Sequence, residues 1–304
     1  MKGTRPTPGV RSTPGVRPTP AVRRIERAGA TIAYRRTGDG PPLVLLHATL
    51  SSAAQLAPLV ERLASRWTVL AIDRRGSSAC PVRDPGAVSM ADHVADVEAV
   101  LAAEGLGPAV IVGHSFGGCV ALELAARRPA LVRAVLAWEP PYAPVGPPVV
   151  REMMRALAVA VEDSHRGAGP AAAAELFLRL VAGERALAAL SPGGRARLGQ
   201  EGDSALADAM LTAAPGGLEP AGLGRIACPV LLAGGTASMP FYREILDGLA
   251  GRIPGARRVV LDELDHTAPI TRPDQLVALV DELAGALVRH TRLVGPRVSS
   301  RARR

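Results

Sequence analysis

One short run carries most of the chemistry that can be read in these 304 residues: Gly113-His114-Ser115-Phe116-Gly117-Gly118. It fits the pattern Gly-x-Ser-x-Gly. It directly follows the apolar run Ala109-Val110-Ile111-Val112 and directly precedes a stretch with helical periodicity. A buried strand that turns sharply into a helix holds the serine in a strained conformation, with its hydroxyl exposed above the sheet. Small neighbours let the backbone approach itself at such a turn. The helix start brings N–H groups to the place where an oxyanion would form. Ser115 is therefore the candidate nucleophile, and a serine hydroxyl needs a base. The histidines are His47, His93, His114, His165, His266 and His290. His266 follows a predicted strand at 257–261 by a short loop and precedes the last helix, so it would sit at the carboxyl ends of the strands beside Ser115. His114 lies inside the turn and is expected to point away from the hydroxyl. His93 falls on a helix and is expected at the surface.

Elements must bring these two residues together. Ala30 to Arg36 alternates as a strand, followed by the turn Gly38-Asp39-Gly40-Pro41-Pro42. Leu43 to His47, Trp67 to Asp73, Ala109 to Gly113 and Val132 to Trp138 read as buried strands. Helical patterns over Ala54–Ala64, Met90–Glu104 and Gly117–Arg128 alternate with them. After an interruption the alternation resumes with a strand at Val230–Ala233, a helix at Tyr242–Leu249, a strand at Arg257–Leu261 and a helix at Pro273–Leu287. This order implies a doubly wound, mostly parallel sheet with right-handed crossovers and helices on both faces. The interruption, residues 140–222, is rich in Ala, Pro and Gly, with helical stretches near 148–163, 170–190 and 203–213, and reads as an inserted helical segment. Residues 5–22 repeat a six-residue Arg-Pro/Ser-Thr-Pro-Gly/Ala-Val unit, so 1–24 is expected to be a disordered, polyproline-like tail. Residues 289–304 read as a frayed basic tail.

Composition narrows the function. The net charge of +8 comes from the ends, since 1–24 and 289–304 carry six basic residues each and no acid. Setting these twelve aside leaves 24 basic against 28 acidic residues, a balance of about −4 for the middle of the chain. No basic face on an ordered element is needed to explain the charge, so a nucleic-acid-binding fold is not implied. With only 3% aromatic residues, stacking recognition of single strands is disfavoured too. Cys80, Cys119 and Cys228 form neither a CxxC nor a Cys/His spacing, which disfavours a disulfide framework or a zinc site and is compatible with a reducing compartment. With no apolar run near 18 residues and no signal-like start, the expected location is the cytoplasm. No metal-ligand cluster, Walker sequence or dinucleotide-binding glycine motif is in place, so no cofactor and no metal are expected.

These motifs together resemble the α/β-hydrolase superfamily, in its serine-nucleophile, capped, esterase- or haloperoxidase-like branch. The resemblance covers roughly 25–288 and rests on Leu-Leu-His47-Ala48-Thr49-Leu50, Asp73-Arg74-Arg75-Gly76, Gly-His-Ser115-Phe-Gly-Gly and Asp265-His266. It implies a core of 25–139 and 223–288 with a helical cap at 140–222. It also implies Ser115 as nucleophile, His266 as base, and the backbone N–H groups of Phe116 and Thr49 as the oxyanion hole. Two departures stand out. The usual His-Gly of the oxyanion loop is His47-Ala48. The usual acid position, after Leu-Leu-Ala-Gly-Gly-Thr-Ala, holds Ser238, and no carboxylate occurs from Gly222 to Tyr242. Some members place the acid one strand earlier. Here that strand ends Trp138-Glu139-Pro140-Pro141, which makes Glu139 the expected acid, with Asp262, Glu263 and Asp265 as the other candidates. Asp265 is expected to organise its own loop. The implied activity is cofactor-free hydrolysis of a small ester, lactone or related carbonyl compound through an acyl-enzyme. A lyase or cofactor-free oxygenase on the same scaffold, or an inactive ligand-binding member, are the alternatives. The expected partner is a small-molecule substrate. A homodimer is compatible with the sequence, and neither specific nucleic acid nor a membrane surface is implied. Met153, Met154, Phe177 and Leu180 are candidate pocket residues, with core packing the expected use.

Overall fold

A run such as Leu43-Val44-Leu45-Leu46 is stable in a sheet only if both of its faces are covered, because successive side chains point to opposite sides. The protein meets that condition. The structure, a computed structural model, describes residues 21–294, with side chains as far as residue 287. In chain order the strands are β1 (Arg23–Arg27), β2 (Ala30–Thr37), β3 (Pro42–Leu46), β4 (Thr68–Ile72), β5 (Ala109–His114), β6 (Val132–Trp138), β7 (Val230–Gly235) and β8 (Arg257–Leu261). They form one eight-stranded sheet in the order β1-β2-β4-β3-β5-β6-β7-β8. The pairs β1/β2 and β2/β4 are antiparallel and all others parallel.

The helices are α1 (Ala57–Leu63), α2 (Met90–Ala103), α3 (Phe116–Arg127), α4 (Pro148–Ala168), α5 (Pro170–Ala182), α6 (Glu184–Ala188), α7 (Pro192–Gly199), α8 (Gly202–Ala213), α9 (Pro220–Leu223), α10 (Pro240–Ala250), α11 (Ala268–Thr271) and α12 (Pro273–Val294). Val44, Leu46, Ile111, Val135 and Leu232 pack with residues of α2, α3 and α10 on one face. Leu43, Leu45, Val112, Leu136 and Leu231 pack with α1 and α12 on the other. Helices α4 to α9 lie between β6 and β7. Ala158, Val161, Ala173, Ala205, Leu206 and Ala209 of α4, α5 and α8 build a small core of their own, where alanines let the helix axes come close.

The chain passes from β3 to β4 on one side and then crosses to β5 on the other. The loops after β3 and β5 therefore diverge and leave a crevice at the carboxyl ends of these strands, the place where open α/β sheets bind ligands.

Several bounds and short elements differ from the sequence expectation, and three of these differences have a bearing on the ends and on the inserted segment. Strand β1 begins at Arg23, inside the expected tail. Its Arg-Arg-Ile-Glu-Arg sequence lacks an apolar run because it is an edge strand, where charges protect the open ladder. Helix α12 continues to Val294, past the expected end at Leu287, so the tail does not start at 289. A short helix, α7, occupies 192–199, where none was expected. The repeat up to residue 20, and 295–304, lie outside the described residues.

Candidate active site

The turn between β5 and α3 is built by its glycines. A Cβ on Gly113 would lie 2.3 Å from Gly117 O, and one on Gly117 would lie 2.3 Å from Leu46 O and 2.7 Å from His47 O. Neither position has room for a side chain. Between them Ser115 is held at φ 54°, ψ −123°, a conformation that L-residues seldom adopt and that surrounding structure must enforce. Its N–H donates to Trp138 O at 2.8 Å. Its hydroxyl does not cap α3, although Ser115 occupies the cap position. The side chain is left free above the sheet, on the wall of a cavity of about 510 Å³.

His266, in the loop after β8, lines the same cavity. Its Nδ1 is 2.8 Å from Glu139 Oε2, and Glu139 Oε1 accepts the Gly235 N–H at 2.8 Å. Glu139 is 1% exposed and sits at φ 44°, a second strained residue, at the carboxyl end of β6. The Gly234-Gly235 pair explains how the three elements meet. A Cβ on Gly235 would fall 1.9 Å from Leu264 O, and one on Gly234 would fall 3.0 Å from Glu139 Oε1. That pair leaves room for a carboxylate and a loop to crowd the end of β7. Ser115 and His266 share the cavity wall without a hydrogen bond between Oγ and Nε2. Such contacts are often long before substrate binds.

Of the other candidate acids, Asp262 and Glu263 are exposed, and Asp265 Oδ1 accepts the Thr267 N–H at 2.8 Å, as expected of a loop organiser. None of the three bonds the imidazole. Ser238 Oγ, at the usual acid position, is buried with no hydrogen-bond partner among the described residues.

Sequence reasoning missed Tyr242 and Asp208, and the contacts that Arg74 and His114 make. Tyr242 of α10 stacks on the His266 ring, with centroids 4.6 Å apart and planes 14° from parallel. His114 donates its Nε2–H to His266 O at 2.8 Å and braces the loop. Arg74 and Asp208 form a buried two-point pair at 3.0 and 2.7 Å. Thr49 lines the cavity and donates its hydroxyl to Asp208 Oδ2 at 2.7 Å. Phe116, whose N–H opens α3, is fully buried. An N–H at that position has no intrahelical acceptor. Of the apolar candidates, Met154 and Phe177 line the cavity together with Leu157, Leu178 and Leu198, whereas Met153 and Leu180 are exposed and do not.

His93 is the one clear misplacement. It is buried against Phe116, edge to face at 5.7 Å, because α2 turns that side toward the sheet. Three buried histidines are held neutral. Burial, then the Arg74 charge, pushes His47 down to about 3. Arg74 N–H donates to His47 Nε2, so Nδ1 carries the proton toward Ala48 O. Burial, then Arg74, lowers His93 well below its usual range, and burial, then His266, does the same for His114. Unfolded histidines titrate near 6.5. Below that pH the unfolded chain binds more protons than the folded one, so stability rises with pH and is lost as pH falls from about 6.5 toward 3. Burial raises Asp73, Asp96 and Glu201, which act in the opposite sense and offset part of the loss. The melting temperature is expected to drop between pH 7 and pH 5, and to drop less steeply in His93→Gln. Equal slopes in the two proteins would contradict the assignment.

Among the described residues, no group of three or more His, Cys, Asp or Glu side chains is placed to hold a metal, and no helix is long and apolar enough to cross a membrane.

The sheet order, the strained serine after β5 and the histidine after β8 define a hydrolase-type α/β scaffold. Residues 43–279 match the Alpha/beta hydrolase family, and the chain belongs to that family. It is 33% identical over 115 residues to the 2-(acetamidomethylene)succinate hydrolase of Mesorhizobium japonicum, a stretch that makes up 38% of this chain and 41% of that protein. The match thus spans about two fifths of the length of this curated relative. An alpha/beta hydrolase from Sphaerobacter thermophilus superposes with a TM-score of 0.64 at 29% identity, covering 86% of this chain and 99% of that one. A thermophilic esterase from Thermogutta terrifontis superposes with a TM-score of 0.71 at 22% identity, covering 88% and 99%, and shares the fold.

Proposed function

We propose that the protein is a serine hydrolase that cleaves a small ester, lactone or related carbonyl compound through an acyl-enzyme. One observation carries the reading: a serine strained at φ 54° lines the same cavity as an imidazole whose Nδ1 is bonded to a carboxylate 1% exposed. Strain of that kind persists where surrounding structure enforces it, and it clusters at working sites.

In this reading Ser115 Oγ attacks the substrate carbonyl carbon while its proton passes to His266 Nε2. Glu139 keeps the Nδ1–H tautomer and steadies the imidazolium. The carbonyl oxygen becomes an oxyanion facing the N–H groups of Phe116 and Thr49. The C–O bond to the leaving group then breaks, and His266 returns the proton to the departing oxygen. Water repeats the sequence on the acyl-enzyme, giving up its proton to His266 and releasing the acid and Ser115. A cavity of about 510 Å³, walled by Met154, Phe177, Leu157 and Leu198, suits a small molecule with an apolar acyl portion. Similarity to a named hydrolase favours hydrolysis over the lyase and oxygenase alternatives.

The test is a panel of p-nitrophenyl esters of graded chain length together with lactones, run beside labelling by a fluorophosphonate. Turnover on members of the panel, with a single adduct on Ser115 by mass spectrometry, is expected. Saturable ligand binding without turnover or labelling would mean an inactive binding protein instead.

A further inference from the structure

The oxyanion loop does not hold its shape alone. Leu50, directly after Thr49, sits at φ 59°, a conformation a leucine adopts only under constraint. Ala48 stands where glycine would have left the loop freer. Two sets of contacts supply the constraint. From the core, Arg74 Nε donates to His47 O at 2.8 Å, and the guanidinium lies 4.9 Å from the centre of the Phe116 ring. From α8, Asp208 accepts the Thr49 hydroxyl at 2.7 Å, and Ser204, one turn earlier, accepts the Leu50 N–H at 3.4 Å. Asp208 and Arg74 are each 2% exposed at the side chain and bonded at two points, which fixes both in place.

We propose that Asp208 is a positioning residue: through Thr49 Oγ1 and Arg74 it sets the two backbone N–H groups, of Thr49 and Phe116, that receive the oxyanion. This rests on the acyl-enzyme reading above. The consequence is specific. Helix α8 belongs to the segment between β6 and β7, so the electrophilic half of the site is complete only while that segment is seated on the core. A carboxylate lining a cavity in which negative charge develops would oppose the reaction if left alone. Here Arg74 neutralises it, and its two acceptor atoms are committed to orientation. The clamp acts on the transition state, because the ground-state carbonyl depends far less on these donors than the oxyanion does.

The test separates a hydroxyl from a methyl. Thr49→Val keeps the shape and the backbone N–H and removes only the bond to Asp208. Thr49→Ser keeps the bond and removes the methyl. Thr49→Val is expected to lower kcat by about tenfold or more, a fraction of the loss seen when a whole oxyanion donor is removed. KM should stay within about twofold, since uniform binding is untouched. Thr49→Ser, which restores the hydroxyl, should lose less kcat than Thr49→Val. Asp208→Asn should lower kcat as well, and adding Thr49→Val to it should cost less than Thr49→Val alone, because the two share one interaction. Affinity for a trifluoromethyl ketone, which forms an oxyanion on Ser115, should fall in parallel with kcat, with melting temperatures of the threonine variants unchanged. If Thr49→Val keeps full kcat and inhibitor affinity while Ser115→Ala is inactive, the clamp is refuted and the serine mechanism stands. If Ser115→Ala itself turns over substrate, both readings fall together.

Discussion

Replacing Ser115 with Ala is expected to lower kcat by about 10⁶-fold and to abolish the fluorophosphonate adduct, with the fold intact. The size of the effect follows from the proposed mechanism, in which without Oγ no covalent intermediate can form, and binding and oxyanion donors can only assist direct attack by water. The fold should survive because Oγ makes no hydrogen bond and caps no helix, so its loss strands no partner. The strained backbone is kept by the flanking glycines, and alanine tolerates φ 54° no worse than serine. A melting temperature within a few degrees of the parent, alongside dead enzyme, is the expected pair of results. An adduct on the Ala variant would place the nucleophile elsewhere.

The second large effect belongs to Glu139→Gln, expected to lower kcat by about 10⁴-fold. The amide is nearly isosteric, and its oxygen can still accept the Gly235 N–H that Glu139 Oε1 now takes at 2.8 Å. Its NH₂ group would then face Nδ1. That favours the tautomer with the proton on Nε2, which cannot accept the serine proton, and it withdraws the charge that balances the imidazolium. KM should change little, because Glu139 is buried behind the imidazole and is not part of the cavity wall. Asp262→Asn and Asp265→Asn serve as controls. Turnover near the parent value in Glu139→Gln, or a comparable collapse in a control, would remove Glu139 from the role.

The serine was legible because its requirements are local. Gly113, Ser115 and Gly117 all serve one turn, and the glycines are needed to keep Cβ atoms out of a backbone crossing only a few residues wide. The place of His266 was legible for a topological reason: alternating strands and helices put every strand-end loop on one edge, so a histidine in the last such loop has few places to go. The partner of the imidazole was harder. Glu139 meets His266 across 127 positions, and what licenses the meeting, the Gly234-Gly235 pair, reads in sequence as an ordinary glycine-rich strand end. His93 was misread because a lone polar residue in an amphipathic helix gives no sign of which flank it occupies.

What the order of residues settled by itself is the scaffold. Apolar runs buried on both faces require a covered parallel sheet, and a small-residue turn after one of them requires an exposed side chain there. What needed three dimensions is everything held by contacts distant along the chain: the carboxylate behind the imidazole, the tyrosine stacked on it, and the Arg74–Asp208 pair that ties α8 to the loop after β3. Periodicity reports how a segment faces its surroundings. It does not report which side chain of another segment completes a hydrogen bond, because that depends on where two separately built surfaces come to rest against each other.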